Sequence, residues 1–326
     1  MISKHLSLLV PIALGANLMA GYVAAEEAYP SKAITLFTAG PPGGPADAAA
    51  RLIAERLQAA LRQAVVVENR PGNPKTTAKT IASAAPDGHT LLMANTSVLA
   101  AFPAVSKNSG YDPSKDFAPV ASVAQAHQIL VVHPTVPAKT LKELVAYAKA
   151  NPGKLNYAAA GGIGGLPHLA GELFKRHAGV DMVPVFFKGA AEALTAVLGG
   201  HVQVTFENIT ILLPLIQSGQ LRALAVTSET RNPQAPDLPS MIEAGIPDYV
   251  VTTFLGLVAP AGTPPGIIGK LNVTINEILN SAEMQASLRN LGSIPQIGSP
   301  REFAAFIAAE SRKWAAVAKS AGIAVD

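Results

Sequence analysis

The sequence predicts an α/β protein whose sheets are mostly parallel and whose chain is divided between two lobes. Three observations carry this. Short β-branched runs alternate with helical patterns along most of the chain, which favours parallel sheets flanked by helices. A glycine-rich loop stands between a strand and a helix in each half. The chain has 326 residues, 49% of them hydrophobic, enough for two cores.

The first half opens with Ile34-Thr35-Leu36-Phe37, a strand-type run broken by Gly40-Pro41-Pro42-Gly43-Gly44-Pro45. Asp47 then opens a helix with Ile53, Leu57, Ala60 and Leu61 on one face, and Val65-Val66-Val67 follows as a central strand. Together these form a βαβ unit. Thr90-Leu91-Leu92-Met93 is a further strand, ahead of Asn95-Thr96-Ser97. The second half starts at a capping box, Thr140-Leu141-Lys142-Glu143, whose helix ends near Asn151-Pro152-Gly153. Leu155-Asn156-Tyr157-Ala158 reads as a strand and Gly161-Gly162-Ile163-Gly164-Gly165 as a second glycine loop. A helix is expected over 167–175. Strands follow at 183–185, 202–206 and 221–226, with a helix at 190–198 ended by Gly199-Gly200. The C-terminal part is helical. Pro264-Pro265 opens a helix with Ile268, Leu271, Ile275 and Ile278 on one face. Ser299-Pro300-Arg301-Glu302 joins an N-cap, an early proline and a capping box to a helix running to Gly322.

Lys4 and His5, the apolar run 6–19 and Val23-Ala24-Ala25 read as an export leader, residues 1–25, cleaved after Ala25. The run is shorter than the roughly 20 apolar residues a membrane span needs, and Pro11 and Gly15 interrupt it. A net charge of +3, with no Lys/Arg cluster, argues against nucleic acid. With no cysteine there is neither a disulfide frame nor a thiolate metal site. The histidines are scattered without H-E-x-x-H, so no metal is assigned. Pro167 stands where a dinucleotide fingerprint wants glycine, and G-x-x-x-x-G-K-[ST] does not occur, so no cofactor is assigned either. No G-x-S-x-G elbow is present.

What remains is anion binding. A helix start exposes unpaired N–H groups and the positive end of its dipole, and glycines let the backbone approach a ligand. Gly43-Gly44 and Gly161 to Gly165 occupy equivalent places in two βαβ units and could clamp a molecule carrying carboxylates; Asn95 and Thr96 mark a third such turn.

The chain resembles the solute-binding proteins of tripartite tricarboxylate transporters, the Bug family. The resemblance rests on Pro41-Pro42-Gly43-Gly44, Val66-Val67-Glu68-Asn69-Arg70-Pro71-Gly72, Ala85-Pro86-Asp87-Gly88, Asp116-Phe117-Ala118-Pro119-Val120 and Pro152-Gly153-Lys154-Leu155-Asn156-Tyr157. His168-Leu169-Ala170-Gly171-Glu172, Lys188-Gly189, Leu198-Gly199-Gly200 and Ala259-Pro260-Ala261-Gly262-Thr263-Pro264 continue it in the same order. It implies a periplasmic binding protein type II-like fold with crossing hinge segments near 128–133 and 250–256. Lobe 1 would comprise 26–130 and 252–326, and lobe 2 would comprise 131–251. It also implies a monomeric periplasmic protein, not an enzyme. Such a protein captures a di- or tricarboxylate, an acidic amino acid derivative or an aromatic acid for membrane transporter subunits. A sensor component and, further off, a secreted hydrolase are the alternatives.

Carried over, the ligand-binding residues are Pro42, Gly43, Gly44 and Asp47 in one lobe and Gly161, Gly162 and Gly164 in the other. Asn95, Thr96, His168, Lys188 and Glu207 complete the set. The sequence departs from the family pattern at four places. Asn73-Pro74-Lys75 replaces the usual Ala-Gly-Gly. Gly165-Leu166-Pro167 replaces hydroxyl residues before His168. Phe206-Glu207-Asn208 replaces Phe-Asp-Asn, and Gly40 replaces an aromatic. Lys75 either points into solvent, as most lysines do, or leans into the cleft and compensates for the missing hydroxyls.

Overall fold

The structure is a computed structural model that describes residues 29–40, 42–70 and 74–325. The expected leader lies outside the described residues, as do Pro41 of the first glycine loop and residues 71–73 ahead of Lys75.

Strands β1 (Ile34–Thr38), β2 (Val65–Asn69) and β3 (Thr90–Asn95) pair in parallel, with β1 between the other two. β4 (Phe117–Val132) is long, and it changes partners along its length. Strands β5 (Asn156–Ala160), β6 (Val183–Phe187), β7 (Val204–Asn208), β8 (Arg222–Val226), β9 (Thr252–Pro260) and the short β10 (Ile294–Pro295) follow. The sheet order is β2-β1-β3-β9-β4-β7-β5-β6, with β8 and β10 also on β4. From Phe117 to His127, β4 runs antiparallel to β9; from Gln128 to Val132 it runs antiparallel to β7, and from Ile129 to β8. One strand thus belongs to two sheets, and the exchange falls between His127 and Gln128.

The helix Pro45–Leu61 shows why the first βαβ unit closes. Its buried face is Ala46, Ala49, Ala50, Ile53, Ala54 and Leu57, spaced three and four apart. Ala60 lies outside this face and is exposed, one residue before the helix ends at the surface. In the helix Pro265–Asn280, Ile268, Leu271, Ile275 and Ile278 are all buried, as their spacing requires. These faces meet Ile34, Leu36, Leu91 and Leu257 in the core of the first lobe. A second core, around Ile129, Val131, Ala158, Val197 and Leu212, fills one side of the other lobe.

The helix Pro300–Ala321 starts at the expected capping box on Ser299 and Glu302 and ends on Gly322 at φ 65. It packs on the turn after β3 and on β4, and also against the helix Leu166–Ala178 of the second lobe. Its Trp314 is fully buried in a core that includes Leu92 and Val98 together with Tyr157, Phe174 and Phe206. That core is continuous from one lobe to the other.

Candidate functional site

In open α/β sheets, ligands bind at the carboxyl ends of parallel strands, where chain direction changes across the sheet. The pairing register puts the loops after β1 and β3 at one such end of the first lobe. It puts those after β5, β6 and β7 at another, in the second lobe. Between them lies a cleft of about 370 Å³, at the point where β4 changes sheets. Asn95, Thr96 and Ser97 line it from the first lobe, Gly161, Gly165 and Leu166 from the second glycine loop, and Gly189 with Ala190 from the loop after β6. Gln128, Glu207 and Thr253 line it from the strands.

Three helix starts thus open on the cleft. The helices Leu166–Ala178 and Ala190–Leu198 begin at Gly165 and Gly189, and neither glycine supplies a side-chain cap. Their first-turn amides are anion donors, with the helix dipole behind them. The turn at Ser97 is organised by Asn95, whose Oδ1 accepts from the Val98 N–H at 3.1 Å. Thr96 is committed elsewhere: its hydroxyl accepts from the Phe254 N–H at 2.8 Å and ties this turn to β9.

The second glycine loop needs its glycines. Gly161, Gly162 and Gly164 have φ of 80, 77 and 80, the left-handed region. A Cβ on Gly164 would also lie 2.8 Å from Val105 Cγ2 of the first lobe. The Gly164 N–H donates to His168 Nδ1 at 3.1 Å, which requires the neutral imidazole with its proton on Nε2. Burial holds His168 below the usual histidine range, and the rings of Tyr157 and Phe186 pack against it. His168 is thus a positioning residue for the loop, and it does not line the cleft.

Asp47 plays the same part in the first glycine loop. It is buried, and its carboxylate accepts from the Gly43 N–H at 2.8 Å, Arg51 Nε at 3.1 Å and Asn69 Nδ2 at 2.9 Å. The Arg51 hydrogen bond, then the Gly43 N–H and the Asn69 amide, hold it below the ordinary carboxylate range despite its burial. Its negative charge is spent inside the loop. Pro42 and Gly43 are exposed, and Gly44 is the uncapped N-cap of the helix Pro45–Leu61.

Two expected cations are placed away from the cleft walls. Lys75, at the start of the helix Pro74–Ala82, sends Nζ to the Asn108 carbonyl at 2.7 Å. A cation at a helix N-terminus is disfavoured by the dipole, and the nearby carbonyl offers it a better partner. Lys188 is exposed, and its backbone N–H donates to the Glu192 carboxylate at 3.0 Å. Of the expected residues, Asn95, Thr96, Gly161 and Glu207 line the cleft. Gln128, Thr253, Gly189 and Ala190 were not anticipated. Gly189 could have been found, since it follows a strand and opens a helix as Gly44 and Gly165 do. A larger hollow of about 540 Å³, bounded by Tyr111, Phe117 and Ile307, is mostly apolar.

A two-lobed α/β chain with helix starts facing an interlobe cleft at a sheet exchange is a receptor of the periplasmic binding protein class. The comparisons with known proteins narrow this. Residues 49–323 match the tripartite tricarboxylate transporter family receptor, TctC. Protein BugT of Bordetella pertussis is 36% identical over 304 residues, which are 91% of each chain. The structure of R. palustris Rpa4515 with adipate is 36% identical with a TM-score of 0.77, covering 91% of this chain and 99% of that one. MatC from Rhodopseudomonas palustris with bound malate is 33% identical with a TM-score of 0.72, covering 89% and 99%. The chain belongs to the tripartite tricarboxylate transporter receptor family.

Proposed function

We propose that this protein captures a small carboxylated solute in the cleft between its lobes, in the periplasm, and presents it to the membrane subunits of a tripartite tricarboxylate-type transporter. The observation that carries the reading is the set of uncapped helix starts at Gly165 and Gly189, opposed across one cavity by the turn at Ser97. These supply backbone donors and favourable dipoles for a carboxylate. Adipate and malate in two related structures support the ligand class. The lobe limits proposed at 130/131 and 251/252 are supported by the partner exchange of β4 after His127 and the start of β9 at Thr252. The protein works as a monomer that binds without turnover, and the residues nearest the ligand are Asn95, Ser97, Gly161, Gly165, Gly189 and Glu207.

Thermal melts against a panel of C4–C6 carboxylates test this. A ligand at 100 times its Kd adds about 2.7 kcal/mol and should raise Tm by roughly 5 °C or more. Recovery of the ligand unchanged after stoichiometric incubation is expected. A flat panel would overturn the carboxylate reading, and a chemically altered ligand would overturn binding without turnover.

A further inference from the structure

Among the described residues that line the cleft, Glu207 alone is ionisable. A cleft built to attract an anion through helix starts therefore holds one side-chain charge of the wrong sign and no cation to cancel it. Glu207 is the last but one residue of β7, half-buried, and one of its carboxylate oxygens accepts from the Asn208 N–H at 2.8 Å. No ion pair to Glu207 occurs among the described residues. A plain dicarboxylate would bring further negative charge beside the Glu207 carboxylate. An ion that is negative at one end and positive beside it would suit the same walls: carboxylate toward the helix starts, cation toward Glu207.

We propose that the cleft is specific for carboxylates that also carry an ammonium group, and that Glu207 is the residue that binds the ammonium. This rests on the carboxylate reading above and names the ligand class within it. Gln128 sits on the adjacent strand β4, one register step from Glu207's partner Ile129, and is buried with its Oε1 unpartnered. Burial raises the Glu207 carboxyl above its ordinary range, whereas the Asn208 N–H favours the charged form. A ligand ammonium acts in the same direction as that N–H and keeps Glu207 ionised.

Titration calorimetry near neutral pH on three matched pairs is the test: succinate and aspartate, glutarate and glutamate, adipate and 2-aminoadipate. Wild type should bind the amino member of at least one pair ten times or more tighter than its desamino partner. The isosteric Glu207→Gln should lower affinity for the amino member at least tenfold and raise it for the plain diacid, with Tm within a few degrees of wild type. Equal or tighter binding of the plain diacids by wild type would overturn the proposal while leaving the carboxylate reading intact. If that binding weakened tenfold per pH unit, Glu207 would be a protonated donor instead. An amino preference kept by Glu207→Gln would also overturn it. Failure of every ligand, amino or plain, to bind wild type would overturn both readings.

Discussion

His127 is the last residue of β4 paired to β9, opposite Thr252, immediately before the strand changes sheets. It is buried, with Nδ1 unpartnered, and burial pushes its pKa down to about 4. In the unfolded chain an imidazole titrates near 6.5. Between these values the unfolded chain binds more protons than the folded one, so stability falls as pH falls. The loss starts below about 6.5 and is complete below about 4. At pH 5 the difference is about 2 kcal/mol, against about 0.2 kcal/mol at pH 7. Urea unfolding at both pH values should therefore show wild type losing about 2 kcal/mol more than His127→Leu over this interval. Other titrating groups cancel in that comparison. Glu207, whose raised pKa acts in the opposite direction by favouring the folded state in acid, is among them. Identical pH dependence in the two proteins would refute the argument and mean that His127 takes up its proton as readily in the folded chain as in the unfolded one.

Gly164→Ala must adopt a positive φ, costing about 1–2 kcal/mol, and must move Val105, so calorimetry should show ligand affinity reduced at least tenfold. His168→Leu keeps most of the bulk but removes the acceptor for the Gly164 N–H; affinity should fall severalfold. Wild-type binding should weaken in acid as the imidazole charges below its depressed pKa, and the variant should lack that acid limb. Asp47→Ala strands the Gly43 N–H, Arg51 and Asn69, and urea unfolding should register a loss of about 2–3 kcal/mol. Lys75→Met should leave carboxylate affinity within about twofold, because Nζ is directed to the Asn108 carbonyl; a tenfold loss would bring that lysine back to the ligand.

Local rules account for the parts of the fold that were legible. Ser299 with Glu302, Gly322, and the stripe from Ile268 to Ile278 are signals contained within one helix, and the structure realises each of them. At Thr140 the side chain accepts from the Glu143 N–H, but the Glu143 carboxylate reaches the Lys139 N–H, one residue before the cap. The helix Ile209–Gln217 escaped because Pro214 and an unbroken apolar run conceal its period. β4 was legible only at its end, as the crossing near 128–133, for a different reason. Its 16 residues include Pro119 and three register shifts, two against β9 and one against β8, and its division between sheets depends on β7, β8 and β9, all distant in sequence. Gln128 owes its place at the cleft to that exchange; the sequence marks it as the start of a crossing segment but not as a cleft residue.

The same division explains why the ligand class is easier to read than the ligand. A carboxylate held by amides at Gly165 and Gly189 is held by groups every residue carries, so only the glycines and the helix starts leave a trace in the sequence. Such a site is indifferent to the rest of the molecule. Discrimination must then come from the few side chains on the walls, and most of those are already engaged: Thr96 with β9, Asn95 with its own turn. Asp47 and His168, which looked like ligand contacts in the sequence, have their polar atoms turned to the loops they brace. Glu207 is left as the charged side chain on the wall, with the hydroxyls of Ser97 and Thr253 elsewhere on the lining. A carboxylate at that position favours a ligand that donates hydrogen bonds there. A uniformly anionic ligand would meet repulsion from Glu207 at the point where the helix starts had drawn it in.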